Sequence, residues 1–176
     1  MQLTRFTDIG LRVVMALAAD PEASHTSRRL ADDLDLSYTH VAKVVSRLAE
    51  LGVVHSSRGR SGGLGITELG PRAGVGWLAR HLEGDGPVVD CEGPTPCPLR
   101  SACRLRGALA AAQEAFYDSL DRLTVQDLIA DPTGARLLTL LPTAGSPPAG
   151  SPGTPPATDI VDAAAVNEVQ SVNEVQ

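Results

Sequence analysis

This sequence is short of aromatic residues, of long apolar runs and of a fourth cysteine, and each shortage excludes something. Aromatics make up 3% of 176 residues, with Trp77 the single tryptophan, so the interior must be filled by Leu, Val and Ala, which favour closely packed helices. No stretch approaches the ~18 consecutive apolar residues of a membrane-spanning helix. The start MQLTRFTDIG lacks the basic segment and apolar core of a secretion signal, so a soluble, cytoplasmic protein with no membrane partner is expected. In that reducing compartment three cysteines are free thiols or metal ligands rather than a disulfide framework. No nucleotide motif, substrate-pocket signature or second cysteine cluster is present, which argues against an enzyme.

Net charge is −6, on its face unsuited to nucleic acid. The sum hides an asymmetry: residues 1–66 carry eight Lys/Arg against seven Asp/Glu, and residues 67–176 seven against fourteen. Any DNA contact must be made locally by a few placed cations.

Apolar periodicity predicts helices over residues 5–19 (Ile9, Val13, Ala16, Leu17), 26–34 (Leu30, Ala31, Leu34) and 38–51 (Val41, Val44, Val45, Leu48, Leu51). Ser37 suits an N-cap and Gly52 a C-terminal stop. Two helices joined by a tight turn read as a helix-turn-helix. Val53-Val54, the glycine-rich SSRGRSGG and Leu64-Gly65-Ile66-Thr67 then read as a two-stranded wing. The expected fold is mainly α: a winged helix-turn-helix followed by a long C-terminal dimerisation helix.

Off the apolar stripe, the third helix presents Ser37, Tyr38, Thr39, His40, Lys43, Ser46 and Arg47, hydroxyls and cations suited to phosphates and base edges. An ordinary solvated face would look similar. The wing favours DNA, because Arg58 and Arg60 flank Gly59 at a hairpin tip from which guanidinium groups reach a minor groove or phosphates.

Beyond the wing, one helix is predicted over residues 71–82, started by Pro71, and an irregular loop over 84–103. A long helix follows at about 102–122, with a stripe of Leu105, Leu109, Ala112, Phe116, Leu120 and Leu123, packed on the domain or on a second copy. Thr124 caps a last short helix. The chain divides as residues 1–82 for DNA, 83–104 for a cysteine loop, 105–131 for dimerisation and 132–176 as a disordered tail. Residues 132–156 hold seven prolines and four glycines, and the end repeats VNEVQ.

The cysteines, Cys91, Cys97 and Cys103, each have five residues between neighbours, and Pro94, Pro96 and Pro98 forbid a helix through them. Thiolates select zinc, copper(I) or iron-sulfur clusters. Zinc normally uses a more closely spaced pair, absent here, whereas a cluster tolerates wider spacing; incidental thiols remain an alternative. Either metal reading needs a fourth ligand, for which His81, Glu83, Asp90, Glu92 and Asp8 are candidates.

LTRFTDIGLRVVMALA, YTHVAKVVSRLAELGVVHSSRGRSGG and VVDCEGPTPCPLRSACRLRGAL together closely resemble the NsrR nitric-oxide-sensing repressors, a branch of the winged-helix iron-sulfur regulators that includes IscR. The similarity spans roughly residues 1–130. It implies a homodimer with crossed long helices and one 4Fe-4S cluster per subunit held by Cys91, Cys97 and Cys103, with Asp8 of the other subunit as fourth ligand and Arg12 and Glu83 close by. It further implies operator binding with the cluster intact and release by nitric oxide. Ser61 departs from the commoner RGRGGG of the wing. A related regulator sensing redox state or iron-sulfur supply through a 2Fe-2S cluster is the alternative.

Overall fold

A computed structural model describes residues 2–57, 63–84 and 86–141. Arg58 and Arg60, and the Pro-rich segment with its VNEVQ repeat, lie outside them.

Helix α1 (Arg5–Ala19) is the central element. Thr4 caps it, its side chain accepting from the Thr7 N–H, and Ile9, Val13, Ala16 and Leu17 are fully buried, as their spacing predicts. Helix α2 (Ser27–Asp33) starts at Thr26, whose hydroxyl accepts from the Arg29 N–H. The turn to α3 (Tyr38–Glu50) passes through Asp35 at φ 52°, the left-handed region Asp tolerates better than most residues. Ser37 holds the N-cap position of α3 without a side-chain capping bond. Val41, Val44, Val45 and Leu48 bury one face of that helix against α1 and α2, and Gly52 ends it at φ 72°.

Strands β1 (Val54–Ser56) and β2 (Leu64–Ile66) pair antiparallel, Val54 opposite Ile66 and Ser56 opposite Leu64. The architecture is therefore the expected mainly helical one, a winged helix-turn-helix.

Beyond the wing three expectations change. The helix predicted over 71–82 is two helices, α4 (Leu69–Arg72) and α5 (Val75–Glu83). Ala73 between them is extended because its carbonyl accepts from the Val125 N–H and the Val75 N–H donates to the Leu123 carbonyl; those bonds to a distant segment replace the helical ones. Pro71 lies within α4 rather than starting the longer helix.

Helix α6 spans Arg104–Leu120, and its buried residue is Tyr117, not a member of the predicted stripe. Leu105 is 64% exposed, and Leu109, Phe116 and Leu120 are half-buried. The helix packs on α5 through one edge and leaves most of the stripe uncovered.

Helix α7 (Val125–Leu128) carries a complete capping box between Thr124 and Asp127, but it is not the last. Residues Thr133–Leu140 form α8, where a disordered tail was expected from 132. The prolines explain the misreading: of the seven between 132 and 156, only Pro132 precedes residue 142, and it sits at the cap. Leu137 and Leu141, one turn apart, close the core beside α1.

Candidate functional site

The cysteine loop runs from the end of α5 to the start of α6. Between residues 84 and 106 most described side chains are exposed, whereas Cys91, Cys97 and Cys103 are half-buried free thiols. The Cys97 N–H donates to the Cys91 carbonyl at 3.1 Å, closing the first span, and the Arg100 N–H turns back to the Cys97 carbonyl. Cys103 is the N-cap residue of α6. Glu92, beside Cys91, accepts from Arg106 at 3.1 Å and faces Arg100 at 3.7 Å, which ties the beginning of the loop to the first turn of α6. All three thiols are free, with none spent on a disulfide.

The fourth-ligand candidates are distinguished by their partners. Glu92 is engaged by its two arginines. Asp90 shapes the loop, accepting from the Glu92 N–H. His81 presents Nδ1 to the Trp77 carbonyl at 2.8 Å; because a carbonyl only accepts, that nitrogen carries the proton. Glu83 accepts from the Thr4 N–H at 2.6 Å, linking the end of α5 to the start of α1. Asp8, on the first turn of α1, accepts from Arg12 Nε at 2.9 Å, with both side chains about half exposed. Among the described residues no three His, Cys, Asp or Glu side chains of the single chain form a group able to hold a metal ion. By donor chemistry the thiols fit a thiophilic metal centre, though among the described residues they are not gathered into one group.

The candidate recognition helix is clearer. Ser37, Tyr38, Thr39, His40, Lys43 and Ser46 are all exposed, and they share the solvent side of α3 and its N-terminus. Arg47 differs from the others: its guanidinium donates to the His81 carbonyl at 3.4 Å and to Glu50 at 3.0 Å, which commits it to α5 and to its own helix. The sequence reading missed Arg28, whose guanidinium lies 4.5 Å over the Tyr38 ring and adds a cation beside the first turn of α3. The sequence carries no signal for it; only the packing of α2 on α3 brings Arg28 to Tyr38.

The family of iron-dependent transcriptional regulators known as Rrf2 matches residues 3–131. An HTH-type transcriptional repressor NsrR of Streptomyces coelicolor is 57% identical over 142 residues, covering 80% of this chain and 96% of the relative. A transcriptional regulator NsrR of Geobacillus kaustophilus is 36% identical over 141 residues, with 78% and 96% covered. Among solved structures, IscR of T. potens superposes with a TM-score of 0.58 at 21% identity over 77% of this chain and 91% of that one. CymR, the global cysteine regulator of B. subtilis, does so with 0.55 at 25% identity over 73% and 95%. These structures show the fold alone. Residues 3–131, with their exposed recognition helix, wing and three-cysteine loop, therefore belong to a regulator and not to an enzyme: the chain is a DNA-binding member of the Rrf2 family, in its NsrR-type branch.

Proposed function

We propose that the chain is a cytoplasmic, homodimeric repressor whose cysteine loop carries a nitric-oxide-sensitive 4Fe-4S cluster, one per subunit. The observation that carries this reading is the loop itself: three free, half-buried thiols tied through Glu92 and Arg106 to the helix whose apolar stripe is uncovered. Cys91, Cys97 and Cys103 hold the cluster. The fourth ligand comes from the N-terminal helix of the partner subunit, at the position of Asp8, and Arg12 balances the local negative charge beside it. Glu83 fastens the base of the loop to that same helix within its own chain.

When bound, such a cluster supplies iron that reacts with nitric oxide. Of the residues that would hold it, the carboxylate would be the hardest donor and the poorest match to a cluster otherwise held by thiolates, and so the weakest of the four contacts. Because it would belong to the partner, its loss would loosen the dimer contact as well as the loop. The loop continues into α6, and two recognition helices must stay about 34 Å apart, one turn of DNA, to read two half-sites. Ser37, Tyr38, Thr39, His40 and Lys43 contact DNA from the helix, and Arg58 and Arg60 from the wing; Arg47 contributes only by leaving Glu50. The same fold would serve an IscR-like regulator with a 2Fe-2S cluster, which responds to oxidants instead.

Anaerobic purification followed by absorption spectroscopy and iron, sulfide and zinc analysis tests the cofactor. Nitric oxide titration with DNA binding followed in parallel tests the signal. The expected result is about four irons and four sulfides per chain and loss of operator binding as nitric oxide is added. Zinc in place of iron, or operator affinity indifferent to both cluster removal and nitric oxide, overturns the reading.

A further inference from the structure

Behind the wing lies a histidine that neither DNA nor metal binding uses. His25, on the connection between α1 and α2, is 4% exposed. Its ring Nε2 lies 3.0 Å from the Asp20 carbonyl at the end of α1. A carbonyl only accepts, so Nε2 carries the proton and donates. Its backbone forms an isolated antiparallel bridge with the wing: the Leu64 N–H donates to the His25 carbonyl at 2.7 Å and the His25 N–H to the Leu64 carbonyl at 3.4 Å. One residue is thus bonded to the end of α1 by its ring and to β2 by its main chain.

The neighbouring geometry shows how tightly this joint is built. A Cβ on Gly63 would stand 2.8 Å from the His25 carbonyl oxygen and would also run into the Ser24 hydroxyl. Gly63 leads directly into β2, and the Ser57 N–H donates to its carbonyl across the wing at 2.9 Å. Helix α1 also packs against the buried face of α3. The wing stem and the recognition helix are therefore both referenced to α1, the helix through packing and the stem through the packing of β2 and, in addition, through His25.

We propose that His25 is a positioning residue for DNA binding: by fixing the α1–α2 connection to the end of α1, its ring holds that connection as a third edge for the wing, so that wing and recognition helix engage one duplex together. A hydrophobic side chain here would fill the space and leave the Asp20 carbonyl with one donor fewer, freeing the connection and the wing stem with it. Gln places an N–H close to where Nε2 stands and keeps the joint.

The experiment uses the full chain, prepared anaerobically, and two duplexes of equal length: one enriched from a random library by selection on the wild-type protein, and one of random sequence. His25→Leu is expected to bind the selected duplex about tenfold more weakly, the scale of one net hydrogen bond, while binding to the random duplex falls by less than about threefold. A loss of folded protein would lower both equally, so the ratio separates positioning from stability. His25→Gln is expected to restore most of the ratio. Gly63→Ala, which pushes on the joint with the ring intact, should reproduce the His25→Leu profile, and it decides the matter if His25→Leu does not fold. A wild-type ratio in His25→Leu or in Gly63→Ala, or a folded His25→Gln that restores nothing, overturns the proposal.

Discussion

At the scale of single residues, Asp33 shows a cost that the helix-turn-helix carries. It lies near the end of α2 with 15% of its side chain exposed, Arg29 Nε 3.6 Å away. Burial raises its carboxyl above the usual carboxylate range; the Arg29 charge acts against this, with Asp32 adding to the rise and His25 opposing it. A carboxyl raised on folding means that the native state binds the proton more tightly than the unfolded chain. Stability contributed by this group is therefore present when it is protonated and is lost as pH climbs from the unfolded value of about 3.9 through the folded one. Asp33→Asn should gain stability relative to the wild type over that rise and hold a constant difference above it. Urea denaturation of both proteins at a series of pH values checks the sign; a difference that shrinks as pH rises refutes it. Nothing in the spacing of SRRLADDL distinguishes Asp33 from its exposed neighbour Asp32; the burial arises only in the folded chain.

At the scale of elements, the contact between α5 and α6 is set by glycine. A Cβ on Gly76 would run into the Tyr117 carbonyl and come within 2.8 Å of the Asp121 carboxyl carbon. Asp121 also accepts from the Trp77 N–H at 2.6 Å, binding the first turn of α5 to the end of α6. A backbone carbonyl cannot yield as a side chain does, so Gly76→Ala should cost roughly 1–3 kcal/mol by overpacking, read as a lowered urea midpoint at unchanged slope. Unchanged stability would mean that the two helices slide apart at no cost. Helices α1, α2 and α3 were legible because their apolar residues recur every three or four positions. The break between α4 and α5 was not, since it depends on hydrogen bonds to residues some fifty positions later. Helix α8 was hidden by composition: its TGARLLTL lies next to a segment dense in proline and glycine.

At the scale of the whole molecule, the partly covered stripe of α6 makes a demand that one chain does not meet. Leu105, Leu109, Phe116 and Leu120 have too little cover in one chain, and a second copy supplies it in the proposed dimer. Leu109→Glu should convert the protein to monomers in light scattering and, by separating the half-site readers, weaken operator binding by more than about tenfold. A dimer that survives the substitution would place the interface elsewhere.

The order of helices, wing and cysteine loop follows from the chain alone, because apolar period, glycine position and cysteine spacing are local properties that each segment carries wherever it lies. The family resemblance was legible for the same reason. Tertiary structure decided which of the chosen side chains remain available: Arg47 is drawn to the His81 carbonyl and Glu50, Arg28 comes to lie over Tyr38, Glu92 is taken by Arg100 and Arg106, and His25 joins α1 to the wing. Each of these depends on a hydrogen bond, an ion pair or a ring contact, and a long side chain selects its partner only after the backbone has brought the competitors within about 4 Å.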